Sequence, residues 1–393
     1  MTLSDIEVAA PTTSAAELYS KLLRGDNLFI LDVRNPDDFA RWRVEGRAGL
    51  EVKNLPYYDF IEDEDAASAE IPTDREILVV CAKEGSSQYV SGLLRDRGLN
   101  ASYLTGGILS WGYLYDVRTA AKGAWGEIIQ IARPARGDVS FMVVSNGEAA
   151  VIDPLRHIDH YEQVISERNA TLSLILDTHV HADHISGGPA LSTKTGAGYY
   201  VHAYDAIHPI DMLPAKIAYR SMEDGQTFQL GSVTIKAIWF PGHTLGQMNF
   251  LVQTPDGAGY LFTGDGIFIK SFGRPDLGGR GEAWTPILYE SLYQRLPSQI
   301  NAATQIMPSH FSMLDESNPD GVFMASYGDL LHSNDALHLR SLEEFTSFVL
   351  GNLPTFPAQY VEIKRVNIGL SNPNESEAEE LELGKNICAL SDH

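Results

Sequence analysis

The chain has 393 residues and a formal charge of −23, with 44% hydrophobic and 21% charged residues, which predicts a soluble globular protein of two or three domains. Such an acidic chain repels phosphate, which excludes nucleic acid and anionic membrane as partners; no apolar run approaches the ~18 residues that a bilayer requires, and residues 1–10 lack the basic and apolar regions of a secretion signal. Two cysteines cannot build a disulfide framework and suit a reducing cytosol, so a cytoplasmic location is expected.

The first third alternates helix and strand signals. Ser14 and Glu17 form a capping box that opens a helix. Residues 28–31 read as a buried strand ending at Asp32, and Asn35-Pro36 starts a short helix. Glu62-Asp63-Glu64-Asp65 reads as a solvated loop. A second buried strand, 77–80, precedes a helix near 86–97; a third strand, 102–104, precedes a helix near 106–115. Strands separated by helices predict a parallel α/β sheet covered on both faces. Beyond 120–124 strands dominate (128–132, 141–145, 149–152, 172–176, 233–240, 249–253, 260–263), with helices near 157–168 and 286–296. This predicts an α+β unit of two packed sheets with helices outside. The boundary is placed at 118–125, giving domains 1–120 and 125–371. An acidic tail, 372–393 (Glu375, Glu377, Glu379, Glu380, Glu382), is expected to be loosely ordered, with Cys388 incidental.

Two stretches carry chemistry. Cys81 ends the run 77–80 and opens the loop Ala82-Lys83-Glu84-Gly85-Ser86. A thiol there sits at the carboxyl edge of a parallel sheet, where loop amides and a helix N-terminus favour a thiolate that can take a sulfane sulfur and pass it on. With Leu31-Asp32-Val33-Arg34, Phe39, Gly106-Gly107-Ile108 and Trp111, this segment resembles the rhodanese family over about residues 14–115. Two positions where that family's loop often carries Arg hold Ala82 and Ser86. Ser87 stands where a phosphatase loop ends in Arg, so phosphatase activity is not expected.

The second stretch, Thr178-His179-Val180-His181-Ala182-Asp183-His184, packs three imidazoles and a carboxylate into a short loop after a strand, as a metal cage requires. His243 (after Pro241-Gly242), Asp265 (between Gly264 and Gly266) and His310 (after Pro308-Ser309) follow other strand ends. Together they resemble the metallo-β-lactamase superfamily, an αββα sandwich, over about residues 126–327. One branch, the persulfide dioxygenases, implies a single Fe(II) held by two His and one Asp, which here correspond to His179, His243 and Asp265. His181, Asp183, His184 and His310 would then support those ligands or hold a second ion. Gly273-Arg274-Pro275-Asp276 resembles the branch's Gly-Arg-X-Asp segment, with Arg274 expected to grip substrate and Asp276 to hold its geometry. The expected activity is oxidation of a small-molecule persulfide with O₂ to sulfite and free thiol, coupled through Cys81 to thiosulfate or persulfide sulfur transfer, with one Fe(II) per chain. The resemblance implies a dimer or tetramer and leaves the thiol carrier open.

Two rivals remain. One is a two-zinc thioester hydrolase of glyoxalase II type, with His179, His181 and His243 on one ion, Asp183, His184 and His310 on the other, and Asp265 bridging. The other is a sulfur carrier or scaffold whose first domain only binds a partner.

Overall fold

A computed structural model describes residues 10–390. The N-terminal sheet comprises β1 (Thr12–Thr13), β2 (Leu28–Asp32), β3 (Glu51–Asn54), β4 (Glu76–Val80) and β5 (Ala101–Leu104), in the order β1-β5-β4-β2-β3, and every pairing is parallel. Alternate residues face opposite sides. Leu28, Ile30, Leu78 and Val80 pack with Leu18, Tyr19 and Leu22 of the helix Ala15–Arg24; Phe29, Leu31, Ile77 and Val79 pack with Phe60, Val90 and Leu94. Covering both faces is what makes β2 and β4 continuous apolar runs. The Ser14–Glu17 capping box is present.

The rest of the chain builds two further sheets. One runs β12-β11-β10-β9-β8-β7-β6, from β6 (Asp116–Gly123), β7 (Gly126–Arg133), β8 (Asp138–Ser145), β9 (Glu148–Ile152), β10 (Thr171–Leu176), β11 (Gly198–His202) and β12 (Arg220–Met222). The other runs in sequence order, from β13 (Thr227–Leu230), β14 (Val233–Trp239), β15 (Met248–Gln253) and β16 (Gly259–Gly264) to β17 (Gln305–Pro308) and β18 (Ala325–Ser326). Phe141, Val143, Ile152, Ile235, Phe250 and Phe262 fill the space between them. Tyr161, Val164 and Leu191 cover the outer face of the first, and Leu288, Leu330 and Phe345 that of the second. β9 and β10 are parallel; β14 and β16, both antiparallel to β15, run with β17. The carboxyl ends of β14, β16 and β17 therefore share one edge. Among the described residues no helix is long and apolar enough to cross a membrane.

Three expectations change. Glu62–Asp65 is not a loop: Tyr57–Glu62 and Glu64–Ala69 are helices. Asp63 caps the second, accepting from the Ala66 N–H at 3.0 Å, and acids in the first turn suit a helix N-terminus. β6, a strand not expected from the sequence, pairs antiparallel with β7, while the last helix of the N-terminal module, Gly107–Gly112, falls within the expected 106–115. The acidic tail folds back. Residues Glu375–Leu381 form a helix with an Asn374–Glu377 capping box, and Glu382 is buried, accepting from Arg133 at 2.7 Å, Arg156 at 3.0 Å and the Ile185 N–H at 2.9 Å. Composition describes the exposed acids of this segment and misses the one whose partners lie 197 to 249 positions away.

Burial opposes charge on Glu382, yet Arg133, Arg136 and Arg156 outweigh it and hold its carboxyl well below the usual range. A carboxyl depressed in the folded state contributes stability that is complete above its unfolded value, near 4.5, and is lost as pH falls towards the folded one. Glu382→Gln is expected to cost about 3 kcal/mol in denaturant unfolding at neutral pH. Its deficit relative to the parent should narrow below about pH 4.5.

Candidate metal centre

Five strand ends supply the centre. Asp153, after β9 and in the left-handed region at φ 50°, accepts from the Thr178 N–H at 2.6 Å, the Thr178 hydroxyl at 2.9 Å and the Ser309 hydroxyl. It thereby ties the ends of β9, β10 and β17 together. The 178–184 loop is clamped from outside by Asn367, whose amide donates to the carbonyls of His181 at 2.9 Å and His184 at 2.8 Å.

The tautomers follow from these partners. A hydroxyl carries one proton; Thr178 gives its proton to Asp153, so at 3.0 Å it accepts from His179 Nδ1. His243 Nδ1 donates to the Arg274 carbonyl at 2.8 Å. Both rings are left with a lone pair on Nε2, 3.8 Å and 3.2 Å from Asp265 Oδ2. Burial, then neighbouring imidazoles, pushes the His179 pKa well down, and burial lowers that of His243, which favours the neutral rings that the hydrogen bonds select. Two lone pairs facing a carboxylate repel unless a cation lies among them.

The other residues of the motif gather beside this set. Asp183 and His184 lie 3.3 Å apart. His310 Nε2 is 3.3 Å from Asp183 and 3.1 Å from Asp265. Burial opposes charge on His310, but Asp183 and Asp265 raise its pKa well above the ordinary value. Candidate ligand atoms of His179, His243 and Asp265 fall within 4.8 Å of one another, as do those of His181, Asp183, His184 and His310. His181 turns its Nε2 to Asp153, at 3.1 Å. Fully buried atoms without a hydrogen-bond partner concentrate here: Nε2 of His179, His184, His243 and His310, Oδ1 of Asp183 and both oxygens of Asp265. Buried polar atoms are almost always paired, so this donor set fits a divalent metal, which would satisfy them together.

Glycines let the strand ends approach. Gly264, at φ 51°, has no room for a Cβ, which would sit 2.2 Å from Thr178 Oγ1; one at Gly273 would meet the Asp265 carbonyl at 2.1 Å and His243 Nδ1 at 2.7 Å.

Arg274 departs from expectation. It is fully buried. Its guanidinium donates to Asp276 twice, at 2.6 and 2.8 Å, and to the carbonyls of Pro354 at 2.6 Å, Thr355 at 3.4 Å and Ile387 at 3.3 Å. All five donors are taken, so it anchors the chain's last turns and has none left for substrate. Sequence reading missed the cations that remain near the centre. A cleft of about 350 Å³ has walls that include Val180 and Thr244, the neighbours of His179 and His243, together with Trp284, Arg280 and Lys364. Lys364 is buried and Arg280 exposed. A larger cleft of about 520 Å³, lined by Ala120, Lys122, Gly259 and Thr304 among others, holds no acid, His or Cys.

Cys81 follows β4, buried, its Sγ 3.1 Å from Ser87 Oγ. Ala82, Lys83 and Gly85 are exposed; Glu84 and Ser86 are half-buried. The closing segment seals the loop: the Ile108 N–H donates to the Cys81 carbonyl at 2.8 Å, and the Gly106 N–H to Glu84 at 2.8 Å. Gly107, at φ 60°, has no room for a Cβ against the Cys81 and Lys83 carbonyls.

The fold and this edge define a metallo-β-lactamase-fold enzyme behind a rhodanese-like domain. The chain belongs to the metallo-beta-lactamase superfamily, whose family model matches residues 134–308, and it carries a rhodanese-like domain over residues 14–113. The probable polyketide biosynthesis zinc-dependent hydrolase BaeB of Bacillus velezensis is 30% identical over 205 residues, 52% of this chain and 82% of its own. A crystal structure of a metallo-beta-lactamase from Staphylococcus aureus superposes with a TM-score of 0.52 at 26% identity, covering 59% of this chain and 69% of its own. ETHE1 from Myxococcus xanthus gives a TM-score of 0.48 at 22% identity, covering 65% of this chain and 96% of its own.

Gly273→Ala should force His243 and Asp265 apart without replacing a ligand. Metal affinity is expected to fall about tenfold or more, read by elemental analysis of the purified variant against the parent after dialysis with a competing chelator.

Proposed function

We propose that the chain is a persulfide dioxygenase with an attached sulfurtransferase site. The observation that carries this reading is the joining, in one chain, of a rhodanese-like thiol loop to a buried set of two imidazoles and one carboxylate. In the net reaction RSSH, O₂ and H₂O give RSH, sulfite and two protons. The terminal sulfur is oxidised, O₂ is reduced, and the S–S bond breaks. An Fe(II) in a two-His, one-carboxylate set would supply O₂ chemistry and keep open positions. His179, His243 and Asp265 would hold it, oriented by Thr178 and the Arg274 carbonyl. Lys364 and Arg280, on the adjoining cleft, take the part first assigned to Arg274 and draw in an acidic thiol carrier, a reading that agrees with the need for local cations in a chain of charge −23. At the other site the Cys81 thiolate takes the sulfane sulfur of a persulfide and releases the thiol; sulfite then removes that sulfur as thiosulfate and regenerates the thiolate.

A second reading has its own support. The convergence of His181, Asp183, His184 and His310 would accommodate a second ion, as in a two-zinc hydrolase, and the relative in Bacillus velezensis is named as a zinc-dependent hydrolase.

Oxygen uptake with glutathione persulfide, measured beside the metal content of the same anaerobic preparation, separates the two. The expected result is O₂ consumption with about one iron per chain; two zinc ions, no O₂ consumption and rapid thioester cleavage would reverse the assignment. Arg280→Ala should raise KM for an anionic persulfide several-fold with little change in kcat. Cys81→Ser should abolish sulfur transfer and leave O₂ uptake intact; sulfur transfer that persists in this variant would place it elsewhere.

A further inference from the structure

Cys388 is one of two cysteines in the chain, and it lies fully buried beside the metal centre. Its Sγ, a carboxylate oxygen of Asp265 and a ring nitrogen of His310 fall within 4.8 Å of one another. The Cys388 backbone is pinned on both sides. The Arg274 N–H donates to the Cys388 carbonyl at 2.8 Å, Gly273 bridges to Ala389, and the Ile387 N–H donates to the Tyr360 hydroxyl at 2.8 Å. The Gly273–Asp276 segment thereby gains a purpose: its backbone and the Arg274 side chain hold the returning chain against the centre.

A thiol that only fills space meets apolar atoms. Cys388 does pack with Ala182, Phe268, Leu277 and Tyr360, and its one hydrogen-bond contact is the Tyr360 hydroxyl, at 3.7 Å. Gathered with it, however, are a carboxylate oxygen of Asp265 and a ring nitrogen of His310, and the oxygens of Asp265 and both nitrogens of His310 are fully buried with no hydrogen-bond partner. A carboxylate, an imidazole and a thiol so gathered make a metal-ligand set.

We propose that Cys388 is a metal ligand, joining Asp265 and His310 as a thiolate. Binding exchanges the S–H bond for a sulfur–metal bond and releases the proton to solvent. The set of one O, one N and one S donor suits zinc or iron. The inference needs an ion within reach of Asp265, His310 and Cys388 and does not rest on the dioxygenase reading, since a hydrolase would hold one there equally. It gives the folded-back chain end a chemical role, as the segment that brings a protein thiolate to the centre.

The test uses the full chain, stripped of metal under anaerobic reducing conditions and reloaded with Co(II). A near-ultraviolet thiolate-to-cobalt charge-transfer band is expected in the parent and in Cys81→Ser, and its loss in Cys388→Ser. No band in the parent, or an undiminished band in Cys388→Ser, overturns the proposal. X-ray absorption at the metal edge of Cys81→Ser protein decides the matter even if Cys388→Ser fails to fold. A sulfur scatterer at about 2.3 Å supports the proposal, and a shell of nitrogen and oxygen alone overturns it.

Discussion

A buried carboxylate with no hydrogen bond organises the second half of this molecule. Asp265 sits at the end of β16 with both oxygens unpartnered and imidazoles around it. Removing an ionised carboxylate from water costs several kcal/mol unless a charge or strong donors replace the lost hydration. The hydrogen bonds of Thr178 and the Arg274 carbonyl turn lone pairs of His179 and His243 inward, so those two imidazoles cannot supply those donors, and His310 is shared with Asp183. A bound cation satisfies the arrangement. The strand ends, the two glycines that let backbones touch, and the Asp153 tie across three strands all serve to keep that demand in place.

What was legible in the sequence was local. β2 and β4 stand out because both of their faces are covered, which produces unbroken apolar runs. The 179–184 cluster is contiguous, and His243, Asp265 and His310 each follow a strand signal beside Gly or Pro. What was not legible depends on partners distant in the chain. β6 has an alternately exposed pattern and is fixed by pairing with β7. Arg274 looks available until the carbonyls of residues 354, 355 and 387 close on it. Asn367, Lys364 and Cys388 carry no motif, and their roles come from helices and a chain end that fold back across the sandwich.

The two modules are more than beads on a string. Leu18, Tyr19 and Trp111 of the N-terminal module belong to the same apolar cluster as Phe141, Phe262 and Met307 of the sandwich. Around that cluster Arg47 reaches Asp315 at 3.0 Å, Lys385 reaches Glu45 at 3.0 Å, and the Trp42 indole donates to the Ala135 carbonyl at 3.4 Å. Shared apolar packing resists relative motion better than a polar contact does. The thiol loop and the metal centre are thus parts of one packed body, and shortening the chain to either module would bare apolar surface.

Glu382 adds a dimension of time. Its carboxylate fastens Ile185, next to the cage loop, yet His179 precedes it by more than two hundred positions. At ribosomal speeds that gap takes on the order of ten to forty seconds. During that interval the nascent chain already displays the histidines of the 179–184 loop but lacks the clasp that seats them. An ion captured so early meets an unfinished coordination shell, so the order of synthesis favours metal uptake after the chain end has docked.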